Sequence, residues 1–398
     1  MRVTNDTLRQ AFLDTLAAAQ RRIVDTQQQV STGKRVNTPS DDPVAAARIA
    51  QLDSSLKRIA QYRDNATIAR NQLGLEEQAL ASAVDNLQRV RELAVQSNNA
   101  TWSSSDRAAI AAELRQRRDA LRSIANATDA DGKYIFAGYS DGAQPFTAGA
   151  GGAVVYNGDQ GQRTLQVSDT RRIAINDSGA QIFQRIPTGN GTFTVAAGAA
   201  NTGTGVLGAG TVTNPAAWVR DTYTITFVTP TTYEVRNSAA TLVASGSYAS
   251  GQAVAFLGAS VPIDGAPAAG DTFTVAPSAA RDVFATLDLL ITTLESPTAD
   301  GAALAQLHSK VGQLLGDVDQ ATGRIIDTRS EVGSRLRALD EETSLGEDFE
   351  VQLTQTLSDI RDLDYAEALS RLSQQLFGLD AAQKAYAQTQ NLSLFRYL

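Results

Sequence analysis

An apolar residue recurs at every seventh position through two long stretches of this 398-residue chain. In the first stretch these positions are Leu52, Ile59, Ala66, Leu73, Leu80, Leu87 and Ala94, and in the second they are Leu304, Val311, Val318, Ile325, Val332 and Leu339. A seven-residue apolar repeat of this length is typical of long helices that pack in a coiled coil or bundle. The pattern therefore predicts two long helices, the second over about Asp300 to Thr343, that pack against each other.

The segment between the two repeats has a different composition and a different period. From about residue 140 to 277 Gly, Ala and Thr dominate, and Tyr223, Ile225 and Phe227 alternate with threonines as in a strand. The sequence VVYNGDQGQRTLQV predicts a hairpin with Asn157-Gly158 in its turn, and KYIFAGY predicts a short buried strand. TFTVA occurs at 192–196 and again at 272–276, which indicates either a repeated strand motif or two small β subdomains.

We therefore predict an α+β fold. A long antiparallel helical rod, a coiled-coil-like bundle, is built from both chain ends and carries an inserted antiparallel β domain. The predicted divisions are an end helix at 1–40 that pairs with 345–398, the two halves of the rod at 41–140 and 278–344, a variable β-rich insert at 141–277, and the second end helix at 345–398.

Composition excludes several classes of function. The chain has no cysteine, which rules out disulfides and cysteine chemistry, and its net charge of −8 with a pI near 4.9 argues against a nucleic-acid partner. The N-terminal residues lack the basic and apolar regions of a secretory signal peptide, and no window approaches eighteen apolar residues. We expect neither a nucleic-acid partner nor a membrane partner.

Candidate chemical groups do not combine into a site. The single histidine, His308, has no nucleophile or ligand set near it in sequence, and we predict a surface position for it. The GTGVLG segment at 203–208 is followed by residues that cannot open a helix, so we interpret it as a flexible loop. Most carboxylates lie at salt-bridge spacing from arginines on helix faces. We therefore predict no catalytic, cofactor or metal site and no enzyme activity.

The two end helices carry apolar stripes without an obvious partner other than each other. We expect them to form an assembly interface, and two alternatives remain: they dock on the same rod, or they stay loose in the monomer and order on assembly. In the second case, proteolysis of the monomer trims roughly the first 40 and last 50 residues quickly. The predicted interface residues are Leu16, Ile23, Val30, Leu369, Leu372, Leu376, Leu379 and Tyr386, with a terminal contact of Leu394, Phe395 and Leu398.

Several segments resemble the flagellin family, and within it the proteins of the junction between hook and filament. The N-terminal ones are STGKRVNTPSDDPVAAARI, GLEEQALASAVDNLQRVRELAVQSNN and DADGKYIFAGY. The C-terminal ones are GDTFTVAPSAARDVFATLDLLITTL and the ending DLDYAEALSRLSQQLFGLDAAQKAYAQTQNLSLFRYL. Together they cover about residues 1–145 and 265–398, and the middle of the chain lies outside the resemblance.

The resemblance implies a set of partners and a route. Such proteins are exported unfolded through the flagellum-specific type III apparatus without a cleaved signal peptide, after a flagellar export chaperone binds the C-terminal region. A ring of identical subunits then lies outside the cell at the distal end of the hook, between hook-associated protein 1 and the first flagellin.

We interpret the chain as a structural adaptor of the bacterial flagellum that works by helical packing between subunits. The alternatives are flagellin itself, the bulk filament subunit, and more distantly a secreted coiled-coil adhesin. We further expect removal of residues 150–260 to be tolerated better than removal of residues 388–398.

Overall fold

The computed structural model describes residues 5–99 and 102–391, and the chain divides into two compact units. The smaller unit consists of Met1–Asp64 with Glu341–Leu398, and the larger is Asn65–Asp340. The α-helices of the described residues are α1 Asn5–Thr32, α2 Pro43–Ser97, α3 Ser104–Ala125, α4 Val283–Glu295, α5 Gly301–Arg361 and α6 Tyr365–Asn391. The described residues thus have long helices towards both chain ends and a middle segment of strands.

The first long helix begins at Pro43, near the start of the rod half predicted at 41–140. The Asp42 carboxylate accepts a hydrogen bond from the backbone N–H of Ala45 at 2.9 Å, and Pro43 takes the first helical position, where no N–H is needed. Gly74 is tolerated inside α2, at a cost of about 1 kcal/mol relative to alanine.

The second long helix is longer than predicted. It does not end near Thr343 but continues to Arg361. Gly346 is the only helix-weakening residue in the added stretch, and one glycine does not stop a helix that is supported by packing. The stop comes at Asp364, whose carboxylate accepts hydrogen bonds from Ala366 and Glu367 and so begins α6.

In the larger unit, α2 and α5 run antiparallel and bury their heptad positions in one core. The antiparallel direction follows from three ion pairs between them, Arg70 with Asp340, Glu77 with Arg329 and Arg91 with Asp319. The fully buried heptad residues include Leu73, Leu80, Leu87, Val311, Val318 and Ile325. Helices α3 and α4 pack on each other and join the same core, with Arg118 paired to Asp288.

Short antiparallel strands follow α3. They are β1 Phe146–Ala148, β2 Val154–Tyr156, β3 Thr164–Gln166, β4 Arg172–Ala174, β5 Ile186–Pro187, β6 Phe193–Ala197, β7 Val206–Leu207, β8 Thr211–Val212, β9 Tyr223–Thr229, β10 Thr232–Arg236, β11 Leu242–Ser247, β12 Ala253–Phe256, β13 Ala259–Asp264, β14 Thr272–Pro277 and β15 Ala280–Arg281. The largest sheet has the order β11-β10-β9-β14-β6.

The two TFTVA segments are neighbours in that sheet. They form β6 and β14, which pair antiparallel with Val195 opposite Val275. The repeated-motif interpretation is therefore right, and the two segments do not mark separate subdomains. In β9, Tyr223, Ile225 and Phe227 are buried on one face, as their alternation predicts.

The predicted insert at 141–277 does not have a single core. Its first part packs into the helical core, where the ring of Phe183 lies edge-on to Phe146 and also contacts Phe284 of α4. A second core begins at Phe193 and ends at Val275. We call residues 193–277 the β subdomain.

Two local predictions in this region are wrong. Strand β2 pairs with β1, and β3 pairs with β4, so VVYNGDQGQRTLQV is not a hairpin. The Asn157 amide instead donates to the Thr147 hydroxyl at 2.8 Å. KYIFAGY is not a strand: Ile135 and Phe136 are buried, but this segment is a series of turns. Burial alone does not distinguish a strand from a turn segment that lines a core.

Polar contacts connect the β subdomain to α5. The backbone N–H of Leu207 donates to the Ser309 hydroxyl at 2.9 Å, and the Gln313 amide donates to the Thr194 hydroxyl at 2.9 Å. Leu207 belongs to β7, which pairs with β13. The GTGVLG segment is therefore partly a strand and not the flexible loop that we predict from sequence.

Candidate assembly interface

The two end helices α1 and α6 pack against each other in antiparallel orientation. Near one end of the pair, the rings of Phe12 and Tyr386 stack with centroids 4.4 Å apart. Further along, the Thr26 hydroxyl lies 3.0 Å from the side-chain oxygen of Gln375. Residue numbers rise along α1 as they fall along α6, which gives the antiparallel direction.

Each end helix presents one narrow face to the other, spaced alternately four and three residues apart. On α1 the buried and half-buried residues of this face are Phe12, Leu16, Ala19, Ile23, Thr26 and Val30, and on α6 they are Ala368, Leu372, Gln375, Leu379, Ala382 and Tyr386. This is the spacing of a two-helix coiled-coil seam. We call these twelve residues the terminal seam.

The predicted interface residues fall into two groups. Six of them belong to the terminal seam: Leu16, Ile23, Val30, Leu372, Leu379 and Tyr386. Leu369 and Leu376 do not, and their side chains are 52% and 46% exposed. Each lies one residue, or about 100° of helix rotation, beyond a seam position. Leu394, Phe395 and Leu398 lie outside the described residues.

The smaller unit exposes many large apolar side chains. On α6, Phe377 is also exposed, at 77%, in addition to Leu369 and Leu376. The last turns of α5 add Phe349 and Val351, at 57% and 72%. Half of the large apolar side chains that the described residues expose lie in this unit, although it is the smaller of the two. Large exposed apolar patches are typical of interaction sites in soluble proteins, so these residues are candidates for an interface.

Sequence reasoning missed Phe349, Val351 and Phe377 as interface candidates. Val351 and Phe377 do not fit a three- and four-residue stripe, which is the signal that selects residues facing a partner helix, whereas Phe349 lies four residues from both Leu345 and Leu353. A large aromatic side chain on the polar side of an amphipathic helix is the signal that finds Phe377, two residues before Leu379 of the terminal seam.

The segment that follows α1 and the segment that precedes α6 also contact each other. Lys34 and Asp362 form an isolated antiparallel bridge, in which the N–H of Arg35 donates to Arg361 at 2.7 Å and the N–H of Leu363 donates to Gly33 at 3.0 Å. We call this contact the loop bridge.

The backbone of the loop bridge favours glycine at position 33. The φ of Gly33 is +70°, which lies in the left-handed region that favours glycine. A Cβ at this position would lie 2.7 Å from the hydroxyl oxygen of Tyr365. The sequence marks Gly33 only as a helix break, and the contact with Tyr365 comes from the far end of the chain.

Several polar groups of the larger unit that could suggest chemistry have structural partners. His308 is half-buried rather than fully exposed, and its Nδ1 lies 2.6 Å from the side-chain oxygen of Asn98. Burial lowers the pKa of His308, and the positive charge of Arg107 lowers it further. The imidazole is therefore neutral at pH 7.

Two buried carboxylates depart from the predicted pattern of solvated helix faces. The carboxylate of Glu76 in α2 accepts a hydrogen bond from the backbone N–H of Asp177. The carboxylate of Asp177 in turn accepts hydrogen bonds from both terminal nitrogens of Arg335 in α5, at 2.8 and 3.0 Å. Burial, reinforced by the negative charge of Asp177, raises the pKa of Glu76 to about 8. The three residues connect α2, α5 and the segment before β5.

Asp317 of α5 is held in the same manner. Its carboxylate accepts the N–H of Gly189 at 2.6 Å and pairs with Arg281 at 2.7 Å. Both carboxylate oxygens are therefore used in fastening strands to the helix. Within residues 5–99 and 102–391, no group of three His, Asp or Glu side chains is placed to hold a metal ion, and no helix is apolar enough over sufficient length to cross a membrane.

Comparison with known proteins identifies the family. The model of the bacterial flagellin N-terminal helical region matches residues 3–141, and that of the bacterial flagellin C-terminal helical region matches residues 315–398. The chain is 28% identical to flagellar hook-associated protein 3 of Escherichia coli over 370 residues, which is 93% of this chain and 90% of that protein. It is 37% identical to flagellar hook-associated protein 3 of Salmonella typhimurium over 186 residues, which is 47% of this chain and 58% of that protein.

The structural match agrees with these relatives, whereas flagellins match only in part. The crystal structure of FlgL from Xanthomonas campestris has a TM-score of 0.72 and 41% identity, over 77% of this chain and 99% of that one. A Salmonella typhimurium flagellin is 36% identical over 110 residues, or 28% of this chain and 22% of the flagellin. Since nearly all of a solved relative is matched at 41% identity, the chain belongs to the flagellar hook-associated protein 3 family of structural proteins of the hook–filament junction.

Proposed function

We propose that the chain joins the flagellar hook, through hook-associated protein 1, to the flagellin filament by packing between subunits and not by catalysis. The observation that carries this proposal is the exposed apolar face of the smaller unit, including Leu369, Leu376 and Phe377 beside the terminal seam. A protein that works alone gains nothing from such a face. A subunit of a ring buries it against its neighbours.

The proposed mechanism separates two tasks within the end helices. The terminal seam holds α1 and α6 together, so that one subunit presents both helices as a unit. The residues outside the seam then bury against adjacent copies and against the components above and below. Full burial of one Leu or Phe side chain contributes about 1.5–3 kcal/mol, and the summed gain of several such residues offsets the freedom that subunits lose on association.

The route and the remaining partners belong to the same proposal. The chain reaches the outside of the cell through the flagellar export apparatus without a cleaved signal peptide, and a flagellar export chaperone covers its C-terminal region beforehand. The family membership supports this route. The apolar face of α6 supports the need for a cover, because exposed side chains such as Phe377 promote aggregation before assembly.

A strain that lacks this chain tests the proposal and separates it from the flagellin alternative. The deletion strain is expected to form hooks without filaments and to release flagellin into the medium. Were the chain itself the bulk filament subunit, the deletion would remove the main filament protein, and no comparable flagellin would accumulate outside.

Single substitutions then test the apolar face. Leu369→Asp, Leu376→Asp and Phe377→Asp are introduced into the complementing copy, and Val228→Asp, which alters an exposed valine of β9, is the matched control. The three end-helix variants are expected to be exported but to leave filaments detached, whereas Val228→Asp restores swimming. Equal swimming of all four variants would contradict the proposed interface.

A further inference from the structure

A groove of about 400 Å³ lies on the larger unit, where β6 approaches the paired strands β5 and β15. Small residues such as Gly191 and Ala279 are part of its lining and leave room for a ligand. Larger side chains also line it, chiefly those of Arg185, Trp218 and Arg220. This volume lies within the range of small-molecule sites.

The groove is positively charged on a chain of net charge −8. Arg185 and Arg220 line it, and no carboxylate does. Neither guanidinium has an ion pair or side-chain hydrogen bond among residues 5–99 and 102–391. The nearest carboxylate in sequence, Asp221, is bound to the N–H of Thr222 at 2.7 Å and to Ser238. Two unpaired arginines in one groove favour an oxyanion such as a carboxylate or a sulfate, because guanidinium binds a pair of such oxygens in a bidentate manner.

The remaining groups of the groove suit a ring that carries hydroxyls. The indole of Trp218 is half-exposed and fixed in place by Phe193 and Tyr223, with centroids at 5.1 and 5.5 Å. A fixed indole provides a flat apolar surface for the C–H face of a sugar. The hydroxyls of Thr192 and Ser278 lie in the same lining, and both are able to accept hydrogen bonds.

We propose that this groove binds an acidic sugar residue, with its carboxylate or sulfate on Arg185 and Arg220 and its ring on Trp218. The site lies outside the end helices and adds a ligand-binding role to the β subdomain. It does not depend on the junction function proposed above.

The test is a calorimetric titration of the full chain with saccharides of matched size. An oligogalacturonate supplies carboxylates, a heparin-derived oligosaccharide supplies sulfates, a neutral galacto-oligosaccharide supplies no charge, and sodium sulfate supplies an anion without a sugar. We expect at least one acidic saccharide to bind and the neutral one not to bind. Arg185→Gln and Arg220→Gln are each expected to weaken binding roughly tenfold, the value of one charge-assisted contact.

Arg172→Gln is the matched control, because it removes the same charge from an exposed position on β4. It is expected to leave the affinity for the acidic saccharide within about twofold of wild type, because solvent and salt screen a charge that lies outside the groove. The proposal is overturned if no acidic saccharide binds at millimolar concentration, if Arg172→Gln weakens binding as much as the groove variants do, or if sulfate alone binds as tightly as the saccharides.

Discussion

The ring of Phe12 lies parallel to that of Tyr386, with an angle of 7° between the planes and 4.4 Å between the centroids. This stack joins the two ends of the described chain. Few other contacts there are fully buried: among the described side chains, α1 buries Ile23 and Thr26, and α6 buries Ala368. The stack is therefore a large share of what holds the terminal pair together.

Replacement of Phe12 by alanine is expected to weaken the pairing of α1 with α6 by about 1–2 kcal/mol, which combines the lost stack with partial loss of buried area. Hydrogen exchange of the helix amides measures this as a loss of protection of roughly five- to thirtyfold. Limited proteolysis of the monomer should also trim both ends faster than in wild type. Phe377→Ala, which removes a ring that is 77% exposed, should change neither result.

Gly33→Ala is expected to destabilise the loop bridge. The left-handed backbone costs about 1–2 kcal/mol for a residue with a side chain, and the new methyl group would also displace the ring of Tyr365. Thermal unfolding and hydrogen exchange of α6 would report the loss.

Gly74→Ala provides the opposite control for that variant. Gly74 lies inside α2, and a methyl group added there would meet no heavy atom within 4 Å, so alanine should stabilise the helix by about 0.5–1 kcal/mol. Equal effects of the two glycine substitutions would show that the loop bridge imposes no special backbone requirement.

The β subdomain should be removable as a unit. The N–H of Ser278 donates to the carbonyl of Thr192 at 2.9 Å, so a short glycine linker is able to connect residue 192 to residue 278. The α5 side chains that form hydrogen bonds with the subdomain include Gln306, Ser309 and Gln313, which are polar and would face water without large cost. We expect the shortened chain to keep its helical circular dichroism and to restore filament attachment in the deletion strain.

The deletion suggested by sequence, residues 150–260, should behave differently. It removes Ile173, Ile182 and Phe183, which are buried in the helical core, and it removes four of the five strands of the main sheet, so that only β14 is left. This variant is expected to aggregate or unfold. Normal folding of the 150–260 deletion would contradict the division between the two cores.

The stability of the larger unit should fall as pH rises from about 5 to 8. Burial raises the pKa of Glu76 from 4.5 to about 8, so the folded chain keeps a proton that the unfolded chain has released over this interval. The contribution of protonated Glu76 to the free energy of unfolding is complete at a pH below its pKa in the unfolded chain. It is lost as the pH rises through its pKa in the folded chain. The slope is at most about 1.4 kcal/mol per pH unit.

Glu76→Gln should abolish this slope, because glutamine has the shape of the protonated acid and does not titrate. Urea unfolding at several pH values between 5 and 9 measures the effect. Glu77→Gln is the matched control: Glu77 pairs with Arg329 at the surface, and its loss should leave the slope in place. A slope that survives in Glu76→Gln would assign the proton to another group.

The helices were predictable because their signals are local. The heptad positions from Leu73 to Leu87 and from Val311 to Ile325 are buried, and Asp42 with Pro43 begins α2. The end of α5 was not predictable in this way. Gly346 resembles the end of a helix as long as the packing partner of this stretch is unknown, although the helix continues to Arg361.

The contacts that depend on distant parts of the chain were not visible in the sequence. A leucine stripe at 369, 372, 376 and 379 looks continuous, but only two of its members face α1, because the seam position is set by the partner. Likewise, the partner of β2 precedes it at Phe146, and Glu76 is buried by Asp177, a hundred residues later in the chain. A period in the sequence indicates a face but not what covers it.

The terminal seam also fixes an order of events during folding. Phe12 of α1 pairs with Tyr386 of α6. The first helix of the described chain is therefore synthesised long before its partner, which is the last. Closing so long a loop in an unstructured chain is slow, and it becomes short once α2 and α5 have paired in between. We therefore expect the α1–α6 contact to form after α2 has paired with α5, and until then α1 lacks its partner helix.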